Sequence, residues 1–306
     1  MFFVLLNGLG VDDHIIEEDF SEIEVRSEDP LLHAVKEELK PSLWRSVSAM
    51  SFRKNGLLSP IEEKAKLNEL RTSLGVLTES ESQFCTDGCL HRYLRATNWS
   101  KRKAAKMIKD TMNWREHYKP QQVKWDEIAK EAETGKIYRA NFRDRDERTV
   151  LVMRPGVENT SQLDGQIRYL VYCMENAIMN LPADQEQMVW LVDFEGWNMS
   201  MVPLRTARET AHVLQNHYPE RLAYAILYNP PKVFEMFWNV VRPFLDPNTQ
   251  KKVKFVYSRD EDSKRLMESL FDLDKLECAF GGRNACRFNT DEYATIMRGD
   301  DTKLTF

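Results

Sequence analysis

The stretch NHYPERLAYAILYNPPKVFEMFWNVVRPFLDP, residues 216–247, changes its pattern twice. Its first residues end a helical pattern that begins at Leu204. The run LAYAILY (222–228) is then almost continuously apolar, as a strand covered on both faces must be. Pro230 and Pro231 open a third segment, 232–245, at helical spacing. A helix, a buried strand and a helix in immediate succession form the repeating unit of an α/β domain. Outward from this unit the same alternation continues. TVLVM (149–153), MVWLVDF (188–194) and KVKFVY (252–257) read as further strands. Gln166 to Leu181 and Asp262 to Leu270 read as further helices. Together they predict a largely parallel or mixed sheet flanked by helices.

The helix at 232–245 has unusual proportions. Its polar residues are Lys232, Glu235, Asn239 and Arg242, spaced 3, 4 and 3 apart, a single narrow stripe. Apolar side chains cover the rest, whereas an ordinary surface helix carries a broad polar face. Pro247 closes it, and Pro243 removes one backbone bond near its end. The pattern fits a helix buried between sheet and neighbours. It also fits one whose apolar face meets lipid. An acyl chain of ~15 methylenes gains ~12 kcal/mol on leaving water, so a carrier needs a cavity and a lid of matching apolarity.

Upstream, Pro60 stands where a helix accepts proline, at its first position, before IEEKAKLNELRTSLG. Cys89, Leu90, Tyr93 and Leu94 mark a second helix. Ala104, Met107, Ile108 and Met112 mark a third that starts near Ser100. The expected organisation is an acidic, mostly disordered tail (1–59), a helical lobe (60–120), the α/β domain (121–288) and a C-terminal tail (289–306).

The totals bound the function. The 306 residues carry a net charge of −5, which argues against general nucleic-acid binding. The charge is uneven: residues 1–60 hold 11 acids and 6 bases, the remainder 37 of each. Five cysteines without a CxxC pair point away from zinc and towards a reducing compartment. No apolar run reaches the ~18–20 residues that span a bilayer. MFFVLLNGL (1–9) lacks a basic flank and a cleavage site and reads as a loose terminus. There is no GxSxG, GxGxxG, P-loop or HExxH pattern, and glycine is scarce at 12 residues. Asp193, at a strand end before Glu195, reads as a turn cap. No catalytic residue, metal site or cofactor is expected.

CLHRYLRATNW (89–99), NWREHY (113–118), VLVMRP, MVWLVDFEGW, the 216–231 stretch, VRPFLDP (241–247) and FGG (280–282) occur in family order and spacing. On them the chain resembles the CRAL-TRIO family, specifically its Sec-fourteen-like phosphatidylinositol/phosphatidylcholine transfer proteins, in a plant-type branch. The resemblance covers about residues 60–288. It implies an all-α lobe before an α/β lipid-binding domain with a gated hydrophobic pocket. It also implies a non-enzymatic carrier that exchanges or presents one phospholipid, phosphatidylinositol-like, or another hydrophobic ligand. The alternative is a regulatory or scaffold module with a filled or repurposed pocket.

The resemblance makes helix 232–245 the gate, with Val233, Phe234, Phe237, Trp238, Val241 and Phe244 on it. Glu220, Thr249 and Lys252 match the family's inositol-phosphate contacts. The expected partners are a lipid and, transiently, a membrane surface, with the acidic tail a candidate surface for a protein partner. The expected location is the cytoplasm with peripheral membrane association.

Three departures stand out. Thr97 and Asn98 replace an Arg–Lys pair near the phosphate, leaving Arg92 or Arg95 as substitutes. Met188 and Trp190 replace small hydroxyl residues that hold a choline phosphate. Phosphatidylcholine binding is therefore expected to be weak or absent, with a sterol-like, isoprenoid or aromatic lipid as another ligand. Glu147–Arg148–Thr149–Val150 stands where the family has GRPV.

Overall fold

The computed structural model describes residues 58–198, 204–232, 234, 235, 238 and 247–303. Residues 1–57 of the expected tail (1–59) lie outside them, as does much of helix 232–245.

Four helices build the N-terminal lobe: α1 (Pro60–Leu74), α2 (Glu79–Phe84), α3 (Asp87–Ala96) and α4 (Lys101–Tyr118). Capping explains where the first two begin. Ser59 and Thr78 each accept from the backbone N–H three residues on, and Glu62 and Glu81 reach back to the cap backbone. Thr86 starts α3 the same way, accepting from the Cys89 N–H. The lobe's core is Leu67, Leu70, Cys89, Leu90, Tyr93, Leu94, Ala104 and Ile108, all buried. Each large aliphatic among them is worth about 2 kcal/mol of burial.

The α/β domain follows in the order α5 (Trp125–Ala132), β1 (Ile137–Arg143), β2 (Thr149–Met153), α6 (Leu163–Met179), β3 (Met188–Asp193), α7 (Leu204–His217), β4 (Leu222–Tyr228), α8 (Pro247–Lys252), β5 (Val253–Val256), α9 (Glu261–Leu270) and α10 (Thr290–Asp301). The sheet order is β1-β2-β3-β4-β5. β1 pairs antiparallel with β2, and the remaining neighbours pair in parallel. The expected mixed α/β fold is what forms. β2 and β3 are buried at every position, which explains their unbroken apolar runs.

Strand alternation divides the core into two faces. Met188, Trp190 and Val192 join Leu214, Leu222, Leu227, Phe234 and Trp238 on one face. Val189 and Leu191 join Trp125, Tyr138, Tyr224, Met267, Phe271 and Met297 on the other.

Two segments differ from the sequence reading. β1 was not expected as a strand, because it is a half-exposed edge with the polar residues Arg139, Asn141 and Arg143 at alternate positions. The expected C-terminal tail contains α10, whose Tyr293, Ala294 and Met297 are buried against the second face. Asn289 caps it by accepting from Asp291 and Glu292 N–H groups. Asp300 accepts from Arg139 (2.7 Å) and Asn176 (3.0 Å), and Asp301 from the Trp125 N–H (2.7 Å).

The FGG motif has a packing cause. Phe280 is buried with its edge against Tyr228, and a Cβ on Gly282 would sit 1.9 Å from the Leu276 carbonyl oxygen.

Candidate functional site

The turn from α7 into β4 positions Glu220. Pro219 cannot extend the helix, and Glu220 adopts a left-handed backbone, φ 57°. Gln187 Nε2 holds the turn by donating to the carbonyls of Glu220 (3.3 Å) and Leu222 (3.5 Å). α8 ends at Lys252, where β5 begins beside β4. The two elements bring Lys252 Nζ to 3.5 Å from Glu220 Oε2, with both side chains partly exposed. An ammonium beside a carboxylate can serve a phosphate and a hydroxyl together. Thr249 lies one helical turn before Lys252 in α8. Its side chain lies outside the described residues.

Phe234 and Trp238 are buried. The Phe234 ring meets Phe194 at 5.0 Å and Phe255 at 6.3 Å, and Trp238 meets Phe255 at 5.9 Å. Val233, Phe237, Val241 and Phe244 lie outside the described residues. On the polar stripe Lys232 is exposed. Glu235 bonds the Tyr257 hydroxyl, which, after burial, helps hold that phenol above its ordinary pKa.

Met188 and Trp190 share the sheet face with these rings, at 0% and 2% exposure. No hydroxyl niche exists at these two positions. The Trp190 and Trp197 indole N–H groups are buried without a hydrogen-bond partner among the described residues. Each is a donor available to an oxygen atom inside an apolar surround.

Arg92 and Arg95 are the candidate substitutes for the missing Arg–Lys pair. Both donate to Glu186, at 2.7 and 3.2 Å. Gly88 permits this approach, since a Cβ there would sit 2.0 Å from Glu186 Oε1. Thr97 closes α3 by donating to the Tyr93 carbonyl (2.9 Å), and Asn98 continues the turn with φ 51°. Lys101 pairs with Glu69 at 3.5 Å. Asp193 accepts from the Glu195 N–H (3.0 Å), so it caps its turn, and burial raises its pKa. Among the described residues no helix is long and apolar enough to cross a membrane.

Sequence reasoning missed the junction between the lobes. Arg115 of α4 binds Glu175 of α6 through two bonds (2.7 and 3.1 Å), and Tyr218 donates to the same carboxylate (2.7 Å). Trp114 stacks on His217 at 4.1 Å. The available signals were NWREHY and NHYPE, which carry Trp114, Arg115, His217 and Tyr218.

The chain matches the CRAL/TRIO domain over residues 132–282 and the CRAL/TRIO N-terminal domain over residues 31–110. The second match starts earlier than the boundary at 60 read from helical periodicity. A CRAL-TRIO domain-containing protein of Schizosaccharomyces pombe is 35% identical over 218 residues, covering 71% of this chain and 21% of that protein. Phosphatidylinositol transfer protein PDR17 of Saccharomyces cerevisiae is 32% identical over 243 residues, covering 74% of this chain and 67% of that one. The SEC14 cytosolic factor of Yarrowia lipolytica is 27% identical over 249 residues, covering 75% and 50%. The chain thus spans from a fifth to two thirds of these relatives. The crystal structure of Sfh5 superposes with a TM-score of 0.52 at 18% identity, covering 88% of this chain and 92% of that one, a likeness of fold.

Proposed function

Because the chain belongs to the CRAL/TRIO family, we propose that it binds one phosphatidylinositol-like phospholipid in the α/β domain and exchanges or presents it at membranes. Lipid binding is the broad reading that the phosphatidylinositol transfer relatives support. The observation that carries the finer reading is the approach of Lys252 Nζ to 3.5 Å from Glu220 Oε2, made by residues 32 apart in the chain. In this reading the ammonium turns to the lipid phosphate, and the carboxylate accepts from an inositol hydroxyl. Thr249 supplies a further hydroxyl.

Helix 232–245 acts as the gate. Phe234 and Trp238 supply apolar cover over the sheet face that carries Trp190. The tails stay beneath this cover, and the prolines at its ends confine opening to the flanking turns. The protein works in the cytoplasm and touches the membrane transiently.

The test is mass spectrometry of lipid released from the purified protein, with a transfer assay between labelled vesicles. One phosphatidylinositol per chain is expected. Lys252→Ala should lower loading at least tenfold with little change in melting temperature. A protein that accepts no lipid from vesicles would refute the reading, and equal loading by Lys252→Ala would refute the headgroup assignment.

A second reading, a scaffold that transfers nothing, draws support from the complete burial of Met188 and Trp190 where the resembled family has small hydroxyl residues. In either case phosphatidylcholine uptake should be low. The double change Met188→Ser, Trp190→Thr should raise it if those two side chains are what exclude choline.

A further inference from the structure

Between the lobes lies a cleft of about 430 Å³, within the size range of small-molecule sites. Its charged lining is Arg92, Arg115, Arg221, Glu175 and Glu186. Both carboxylates are already committed. Glu175 takes the two bonds from Arg115 and one from Tyr218, and Glu186 takes Arg92 and Arg95.

Arg221 is the cation left over. A guanidinium carries five N–H donors. Arg221 spends Nη1 on the neutral backbone carbonyl of Glu186, at 2.8 Å, and makes no ion pair among the described residues. Burial, and then the like charge of Arg92, pull its pKa down to about 10, so its positive charge is poorly compensated. His217 on the wall does not add charge at neutral pH, because burial lowers it to about 4. Phe84, Ile178, Leu181, Pro182 and Pro219 supply an apolar wall beside these charges.

We propose that this cleft binds a small amphipathic anion, a single phosphate or carboxylate on an apolar body, with Arg221 as its charge partner. The anionic group meets the unspent N–H groups of Arg221, and the body lies on the apolar wall. The cleft lining includes neither Glu220 nor Lys252, and its anion site does not depend on the lipid reading. Phe84, Arg92 and Arg115 come from one lobe and Glu175, Ile178 and Arg221 from the other. Occupancy therefore braces the lobe junction and raises the melting temperature.

The test uses phenyl phosphate as the probe, titrated calorimetrically into the full chain. Saturable 1:1 binding is expected, with inorganic phosphate and phenol each at least tenfold weaker. Arg221→Gln should weaken phenyl phosphate at least tenfold, and Lys252→Ala should leave it unchanged. Absence of saturable binding, or equal binding by Arg221→Gln, overturns the proposal. Loss in Lys252→Ala, or displacement by phosphatidylinositol vesicles, also overturns it, since the anion would then share the lipid headgroup site. Should Arg221→Gln not fold, phenylglyoxal labelling of the unaltered protein decides. Phenyl phosphate must shield Arg221, and unshielded labelling refutes the site.

Discussion

Glu147 and Glu220 carry the same backbone cost in different settings. Their φ angles are 60° and 57°, in the left-handed region where an L-residue loses roughly 1 kcal/mol. Glu147 stands where the resembled family has a glycine. The β1–β2 turn there is held by Asp144, which accepts from the Arg148 backbone N–H (2.7 Å), the Arg148 guanidinium (2.9 Å) and the Tyr224 hydroxyl (2.8 Å). Glu147 itself adds only an exposed contact to Arg143 at 3.4 Å, worth little. Glu147→Gly should therefore raise stability by about 0.5–1 kcal/mol in urea unfolding and leave lipid loading alone. Glu220→Gly should also keep or raise stability, yet lower phosphatidylinositol loading severalfold. Full loading by that variant would remove the carboxylate from the site. Glu220 stands out in the sequence because it lies in a family motif, and Lys252 because it follows one. The strain was not legible there, since glutamate is no turn former. The Arg92–Glu186 pair joins positions 94 apart in the chain, and no local pattern announces it.

The elements that could be read were those whose burial is one-sided or complete. β2, β3 and β4 carry apolar residues at nearly every position, because both of their faces are covered. β1 and α10 were missed for the opposite reason. β1 is an edge strand with Arg139 and Arg143 among its residues. α10 reads TDEYATIMRGDD and buries only Tyr293, Ala294, Met297 and Asp300. Its attachment is largely polar, through Asp300 and Asp301. Met297 is nonetheless completely buried. Met297→Ala should cost about 2–4 kcal/mol, the usual loss for a large side chain removed from a packed core. Urea unfolding checks it. A loss below 1 kcal/mol would mean that α10 rests only loosely on the domain.

The whole molecule depends on how its two lobes are joined, and that junction titrates. Thr111 Oγ1 of α4 donates to the Asn216 carbonyl (2.8 Å), so its remaining contacts must be ones it accepts. Tyr93 OH (3.1 Å) and His217 Nδ1 (3.1 Å) both approach it. His217 therefore directs an Nδ1 proton at Thr111 Oγ1, and its ring stacks on Trp114. Burial, then His212 and Arg115, lower its pKa from 6.5 to about 4. Above pH 6.5 neither the folded nor the unfolded chain protonates this ring, and stability is full. As pH falls from 6.5 towards 4 the unfolded chain takes up a proton that the folded chain refuses. Stability is lost across that window, by about 2 kcal/mol between pH 7.5 and 5, and the loss levels off once the folded ring also titrates. Glutamine at 217 can still donate to Thr111 but cannot titrate. Urea midpoints of the parent chain and His217→Gln, each at pH 7.5 and 5, should thus diverge: the parent falls and the variant holds. Equal falls in both would show that the acid sensitivity lies elsewhere and that His217 charges freely in the folded junction.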